Sequence, residues 1–269
     1  MGKMNNDRKK LYELGVEIYK NEQRSIMSIC RELGLERNYL SNLIKKNKIN
    51  VKQYPTKHEI NENIFENIDS EDKAYWLGFL YVDGYVSGGK ERRIELSLQL
   101  SDANHLHKFK QFLDYKGEIK KDSFRCRLYF RNEKITNDLI RLGCTPRKSL
   151  TLKFPNEKQV PRQYILHFIR GYIDGDGSLM CSEHHKGISV IGTQSFLNEM
   201  CEHLNIKKQI HIIKSKSNKT YIYETGKKST IYKLCTLLYS DANIYLDRKY
   251  IKSKILIDYS IAVYDRDIV

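Results

Sequence analysis

Two aspartates, Asp83 and Asp176, carry the clearest chemical signal in the chain. Each precedes a glycine and follows another glycine by five residues, within segments that align without a gap: YWLGFLYVDGYV over 75–86 and FIRGYIDGDGSL over 168–179. Gly78 pairs with Gly171, Asp83 with Asp176 and Gly84 with Gly177, each couple 93 residues apart. A lone Asp-Gly marks only a turn; a duplicated one with the same upstream glycine and the same apolar run marks two copies of one element. If both copies are helices that pack together, the carboxylates sit side by side at helix C-termini, where both dipoles and mutual repulsion disfavour them. A bound cation removes that conflict. Carboxylate oxygens with backbone carbonyls and water suit Mg²⁺, or Mn²⁺ in its place, ions used to position phosphodiesters. The plainer alternative is a pair of helix C-caps with structural aspartates.

The elements that position this pair must be two helices in close contact. A glycine inside a helix costs about 1 kcal/mol relative to alanine, and a close backbone approach along a pseudo-twofold axis offsets that cost at Gly78 and Gly171. Gly84 and Gly177 are expected to end the two helices as C-cap residues at positive φ. From Asp72 onward, helical apolar runs alternate with short stretches of period-two strand pattern, and the succession occurs twice.

The two segments resemble the two copies of the LAGLIDADG motif, and the chain is similar to single-chain LAGLIDADG homing endonucleases over roughly residues 72–262. Gly78, Asp83 and Gly84 fit the motif in the first copy; Gly171, Asp174, Asp176 and Gly177 fit it more fully in the second. The first copy departs at Tyr81, where the motif has an acid that is not the metal ligand. The resemblance implies an α+β, pseudo-symmetric, duplicated αββαββα fold and metal ligation by Asp83 and Asp176. It also implies catalytic roles for Lys148 in LGCTPRKS and Lys249 in NIYLDRKY, equivalent lysines near the activated water and scissile phosphate. Gln99 resembles the family's strand glutamine that orients water; at the same or adjacent offset the second half has Ile191 and Gly192, so the polar water ligand is expected on one side only.

Between the motif helices, SFRCRLYFRN alternates Phe124, Cys126, Leu128 and Phe130 with Arg125, Arg127, Tyr129 and Arg131, which places three arginines on one strand face. Arg125, Arg127 and Arg131 are thus candidates to reach guanine edges or phosphates. In the second half, Lys214 and Lys216 flank an expected hairpin, a weaker pattern. Because the halves differ at nearly every such position, an asymmetric target is expected.

Net charge strengthens the case for a polyanionic partner. The 269 residues carry 47 Lys+Arg against 33 Asp+Glu, a formal +14. Residues 1–57 hold 13 Lys+Arg and 6 Asp+Glu, half of that excess in about a fifth of the chain. Ile26, Ile29, Leu33, Leu40, Leu43 and Ile44 fall at helical spacing around Gly34, and Leu11, Leu14, Val16 and Ile18 supply a third helix. The result has the size of a helix-turn-helix domain, with Arg37, Asn38 and Ser41 leading its second helix toward base edges.

Four regions follow: a helix-turn-helix-like domain over 1–57, a linker over 58–71, and two halves over 72–158 and 159–269. No apolar run approaches the roughly 18 residues of a membrane span; with no secretory pattern at the start, an intracellular monomer is expected. The six scattered cysteines read as reduced thiols. The functional expectation is a metal-dependent, site-specific endonuclease that breaks both strands of DNA at a long target, encoded by a mobile element or phage. The alternative is a catalytically silent DNA-binding regulator or RNA maturase of the same fold.

Overall fold

A computed structural model describes residues 6–22, 26–47, 49, 58–89, 91–146, 151–213 and 220–261. The chain divides into two compact units, Met1–His58 and Glu59–Val269.

The first unit contains helices α1 (Asn6–Glu22), α2 (Ile26–Leu33) and α3 (Arg37–Lys46) around a core of Tyr12, Tyr19, Ile29, Cys30, Leu35, Leu40 and Ile44. Gly34 ends α2 at φ +62°, and the Leu35 N–H turns back to the Cys30 carbonyl, a closure only glycine adopts without strain. The buried face of α1 is only partly the expected one: Val16 and Ile18 pack against the core. Leu11 and Leu14 are 39% and 43% exposed, whereas Tyr12 and Tyr19, seven residues apart, turn inward. The Tyr12 hydroxyl accepts from the Glu36 N–H at the start of α3 and its ring packs on Tyr39 at 4.5 Å, so an aromatic pair with a polar tip outcompetes the leucines.

The second unit begins earlier than the sequence suggests. The stretch read as a linker, 58–71, is packed: Ile64, Phe65 and Ile68 are buried, Phe65 lies against Phe112, and backbone bonds run from Asn61 N–H to Leu113 O and from Lys116 N–H to Glu59 O. Ser70 then caps α4 (Glu71–Val82) by accepting from the Lys73 N–H.

The first half continues with β1 (Gly84–Val86), β2 (Arg93–Gln99), α5 (Ala103–Phe112), β3 (Lys120–Lys121), β4 (Arg125–Arg131) and α6 (Glu133–Arg141). The second half repeats the order with α7 (Ile165–Asp176), β5 (Ser178–Cys181), β6 (Lys186–Gly192), α8 (Gln194–His203), β7 (Ile210–Ile213), β8 (Thr220–Thr225) and α9 (Lys228–Tyr239), then adds α10 (Asp247–Ile261). Each half is thus αββαββα, with antiparallel sheets ordered β1-β2-β4-β3 and β5-β6-β8-β7. The protein is an α+β chain built from a duplicated unit.

The paired helices α4 and α7 form the centre. Ala74 to Tyr81 of α4 and Phe168 to Asp174 of α7 are buried, as expected of helices covered on all sides. A Cβ on Gly78 would lie 2.0 Å from the Phe168 carbonyl oxygen, and one on Gly171 would lie 2.0 Å from that of Tyr75. The reciprocity of these contacts marks the pseudo-twofold axis. Gly84 and Gly177, by contrast, are not at positive φ; Gly177 is extended at φ −69°, ψ 159°. Their requirement is space, since a Cβ at either would lie 2.6 Å from a carbonyl of its own helix, that of Leu80 or Ile173.

Candidate active site

The helix pair delivers Asp83 as the C-cap of α4 and Asp176 as the last residue of α7, both solvent-exposed. Gly175 sits where the helix ends meet. A Cβ there would come within 2.3 Å of Val82 Cγ2 and 3.5 Å of Asp83 Oδ2, so the missing side chain lets the end of α4 settle beside Asp176. Sequence reasoning missed Gly175, although its place between the two acids of the fuller motif copy was a usable signal. Burial of the surroundings raises the Asp176 pKa, and the Lys249 ammonium opposes that rise.

Lys249 is 3% exposed. Its Nζ donates to the Ile173 carbonyl at 2.8 Å and to that of Gly177, closing the C-terminal end of α7. Burial lowers its pKa to about 8, against the pull of Asp174, Asp83 and Asp176. The ammonium is thus held on the carbonyls of Ile173, which also accepts from the Gly177 N–H, and of Gly177, close enough to Asp83 and Asp176 to feel both carboxylates. Its expected counterpart, Lys148, lies outside the described residues.

Asp174, the other acid of the second copy, is fully buried and accepts from the Tyr75 hydroxyl at 2.8 Å, the Tyr239 hydroxyl at 2.7 Å and the Leu246 N–H at 2.7 Å. It ties α7 to α4, to α9 and to the segment that leads into α10. The Tyr75 hydroxyl proton is committed to Asp174, so His105 Nε2, 3.0 Å away, donates to the same oxygen. Tyr81, the first-copy counterpart, donates to the Leu142 carbonyl. The departure at Tyr81 thus preserves the position's use: it fastens α4 to the residue after α6, as Asp174 fastens α7 to α9 and to the residue before α10.

Gln99 ends β2 on its open face, but the depression beside Asp83 is lined by Tyr85, Arg93, Glu95 and Ser97. Gly84 pairs with Leu96, which sets Ser97, not Gln99, opposite Asp83. The second-half counterpart also differs from the expected Ile191 or Gly192. Ser178 pairs with Ser189, so the same register makes Thr193 the equivalent of Gln99. Thr193 Oγ1 donates to the Leu152 carbonyl at 2.7 Å and accepts from the Phe196 N–H as the cap of α8. The counterpart of Gln99 is thus a hydroxyl already committed to the backbone.

Arg125, Arg127 and Arg131 are exposed on the open face of β4, while Cys126, Leu128 and Phe130 face the core. Arg127 pairs with Asp122 at 3.1 Å, and the Arg93 guanidinium bonds Glu95 and lies over the Tyr129 ring. Lys214 and Lys216 fall outside the described residues. In the first unit, Arg37 and Asn38 are exposed and Ser41 half-buried on α3. All six cysteines are free thiols, and no helix among the described residues is long and apolar enough to cross a membrane.

No sequence family profile matches the chain, and no curated protein is significantly similar to it. Several solved structures share part of its path. The LAGLIDADG homing endonuclease I-GzeII in complex with its DNA target superposes with a TM-score of 0.49 and 13% identity, covering 78% of this chain and 92% of that one. The meganuclease I-SmaMI bound to uncleavable DNA gives 0.48 and 13% over 72% and 92%. The I-LtrWI LAGLIDADG homing endonuclease bound to target DNA gives 0.44 and 13% over 74% and 91%. At these values the architecture rests on the topology and register described above.

Proposed function

We propose that this protein is a divalent-metal-dependent endonuclease that breaks both strands of DNA at a long, asymmetric site. The observation that carries the reading is the reciprocal packing at Gly78 and Gly171, which sets Asp83 and Asp176 together at the ends of two helices beside a sheet face of arginines. Paired carboxylates at two helix C-termini cost electrostatic energy; held next to a basic surface, they suit phosphodiester chemistry. The likeness of both segments to the LAGLIDADG motif supports the same reading.

The donors fit a hard cation. Asp83 and Asp176 offer oxygen only, at solvent-exposed positions, and no group of three or more His, Cys, Asp or Glu gathers among the described residues. The remaining donors for Mg²⁺ or Mn²⁺ would be backbone carbonyls, water and phosphate oxygens. When bound, such an ion supplies an activated water and screens phosphate charge. The chain's own residues do the rest: Asp174 anchors α7, Lys249 fixes the end of that helix and with Lys148 is assigned to the phosphate, and Gln99, two residues beyond Ser97 on the open face of β2, is assigned to the attacking water. Arg125, Arg127 and Arg131 hold the duplex, joined by Lys214 and Lys216. Residues 1–57 add a helix-turn-helix that extends the footprint through Arg37, Asn38 and Ser41.

Incubating the full chain with a randomised duplex library, with and without Mg²⁺, and sequencing both ends and bound molecules tests the reading. Mg²⁺-dependent double-strand ends at one recurrent sequence support it. Recurrent binding without cutting identifies a silent regulator instead, and retention of structured RNA alone identifies a maturase.

A further inference from the structure

The two sheets are equivalent in register and unlike in chemistry. Leu96 beside Gly84 corresponds to Val190 beside Gly177, which makes the other positions comparable one by one. In the first sheet Ser97 pairs with Arg127, and Arg127 pairs with Lys120. The corresponding row of the second sheet is Ile191, Ile222 and His211. The flanking rows repeat the contrast: Glu95 and Tyr129 correspond to Ser189 and Glu224, and Gln99 and Arg125 to Thr193 and Thr220. Among the described residues, the open face of the first sheet carries Arg93, Lys120, Arg125, Arg127 and Arg131, while that of the second carries neither lysine nor arginine.

Ile191 and Ile222 are half-buried cross-strand partners on the face that continues from Asp176. An isoleucine gains nothing from a phosphate. In a duplex laid along both sheets, the apolar group that the major groove presents is the thymine C5 methyl, and the bidentate partner of an arginine there is guanine O6 and N7. Helix pairing makes the two faces pseudo-symmetric continuations of the two aspartates, so a duplex engaging one engages the other.

Building on the proposed function, we infer that Ile191 and Ile222 read thymine methyls, and that the target is a guanine-containing half under the first sheet joined to a thymine-containing half under the second. The occupant of the apolar row is DNA, not a protein.

The test uses the full chain and the duplex recovered by selection. Arg127→Ala relaxes base preference in one half, which assigns that half to the first sheet. Deoxyuridine then replaces thymidine in each half separately, removing only the C5 methyl. In the second half the substitution weakens binding by the wild-type protein about fourfold per contacted methyl; Ile222→Ala shrinks the difference between thymine and uracil, and Ile191→Ala with Ile222→Ala abolishes it. In the first half it changes nothing. An unchanged affinity in the second half, or a loss confined to the half assigned by Arg127, overturns the inference while leaving the endonuclease reading intact. Recovery of no preferred duplex overturns both.

Discussion

Arg248 donates from Nε to both carboxylate oxygens of Asp102, at 3.2 and 3.1 Å, and so links the start of α10 in one half to the turn after β2 in the other. Lys108 and Asn104 add a parallel link to Asp247 at 2.6 and 3.1 Å. The pair is unequal: the Asp102 side chain is 8% exposed and that of Arg248 48%. Removing the cation therefore strands a nearly buried carboxylate, whereas removing the acid leaves a guanidinium that water can solvate. Arg248→Ala is expected to cost about 1–3 kcal/mol and Asp102→Ala less, in urea unfolding of the full chain. Equal costs would contradict this account of the pair.

Glycine substitutions should separate steric from conformational demands. Alanine at Gly78 would place a Cβ 2.0 Å from a backbone oxygen, with no flexible neighbour to yield. Gly78→Ala is expected to cost more than about 3 kcal/mol. Gly34 has open space around it but a φ of +62°, so Gly34→Ala should cost about 1 kcal/mol. Thermal unfolding that ranks the two in the opposite order would refute the close approach of α4 and α7.

His105 gives the stability a pH dependence. It is buried against Tyr75 and Trp76, and burial lowers its pKa from 6.5 to about 3, with Lys108 and Arg248 lowering it and Asp247 raising it. The folded state therefore keeps it neutral while the unfolded chain takes up a proton near pH 6.5. Its stabilising contribution is complete above that pH and is lost as pH falls toward 3, with a slope of up to about 1.4 kcal/mol per pH unit. His105→Gln should flatten the stability profile between pH 6 and 4 in denaturant titrations, to the extent of one proton. An identical slope in the variant would mean that the imidazole is charged in the folded protein.

What the residues disclosed in advance was whatever local spacing encodes. Gly78 and Gly171 announced a close helix pair because only a missing side chain admits a second backbone, and Arg125, Arg127 and Arg131 announced an open face because strands alternate. Register was beyond reach. Whether Gln99 or Ser97 stands opposite Asp83 depends on the hairpin between β1 and β2, and Thr193 entered the comparison only through the ladder. Long-range burial was equally hidden: nothing in the spacing around Lys249 says that its ammonium ends on the carbonyls of Ile173 and Gly177, or that Asp174 gathers Tyr75, Tyr239 and Leu246 from three other segments. At α1, four aliphatic residues suggested the buried face; Val16 and Ile18 do pack on the core, but Tyr12, with a hydrogen-bond partner and a ring contact, and Tyr19 take the place of Leu11 and Leu14.

The central claim is that Asp83 and Asp176 act together as metal ligands, and its most direct test is Mg²⁺-dependent cleavage of the selected duplex by the Asp83→Asn variant of the full chain. Asparagine keeps the size and the α4 cap while removing the charge that a divalent ion requires. The account predicts that double-strand cleavage is abolished while DNA affinity stays within about tenfold of wild type, and that Asp176→Asn behaves alike. Double-strand cleavage by Asp83→Asn at the wild-type rate would contradict it.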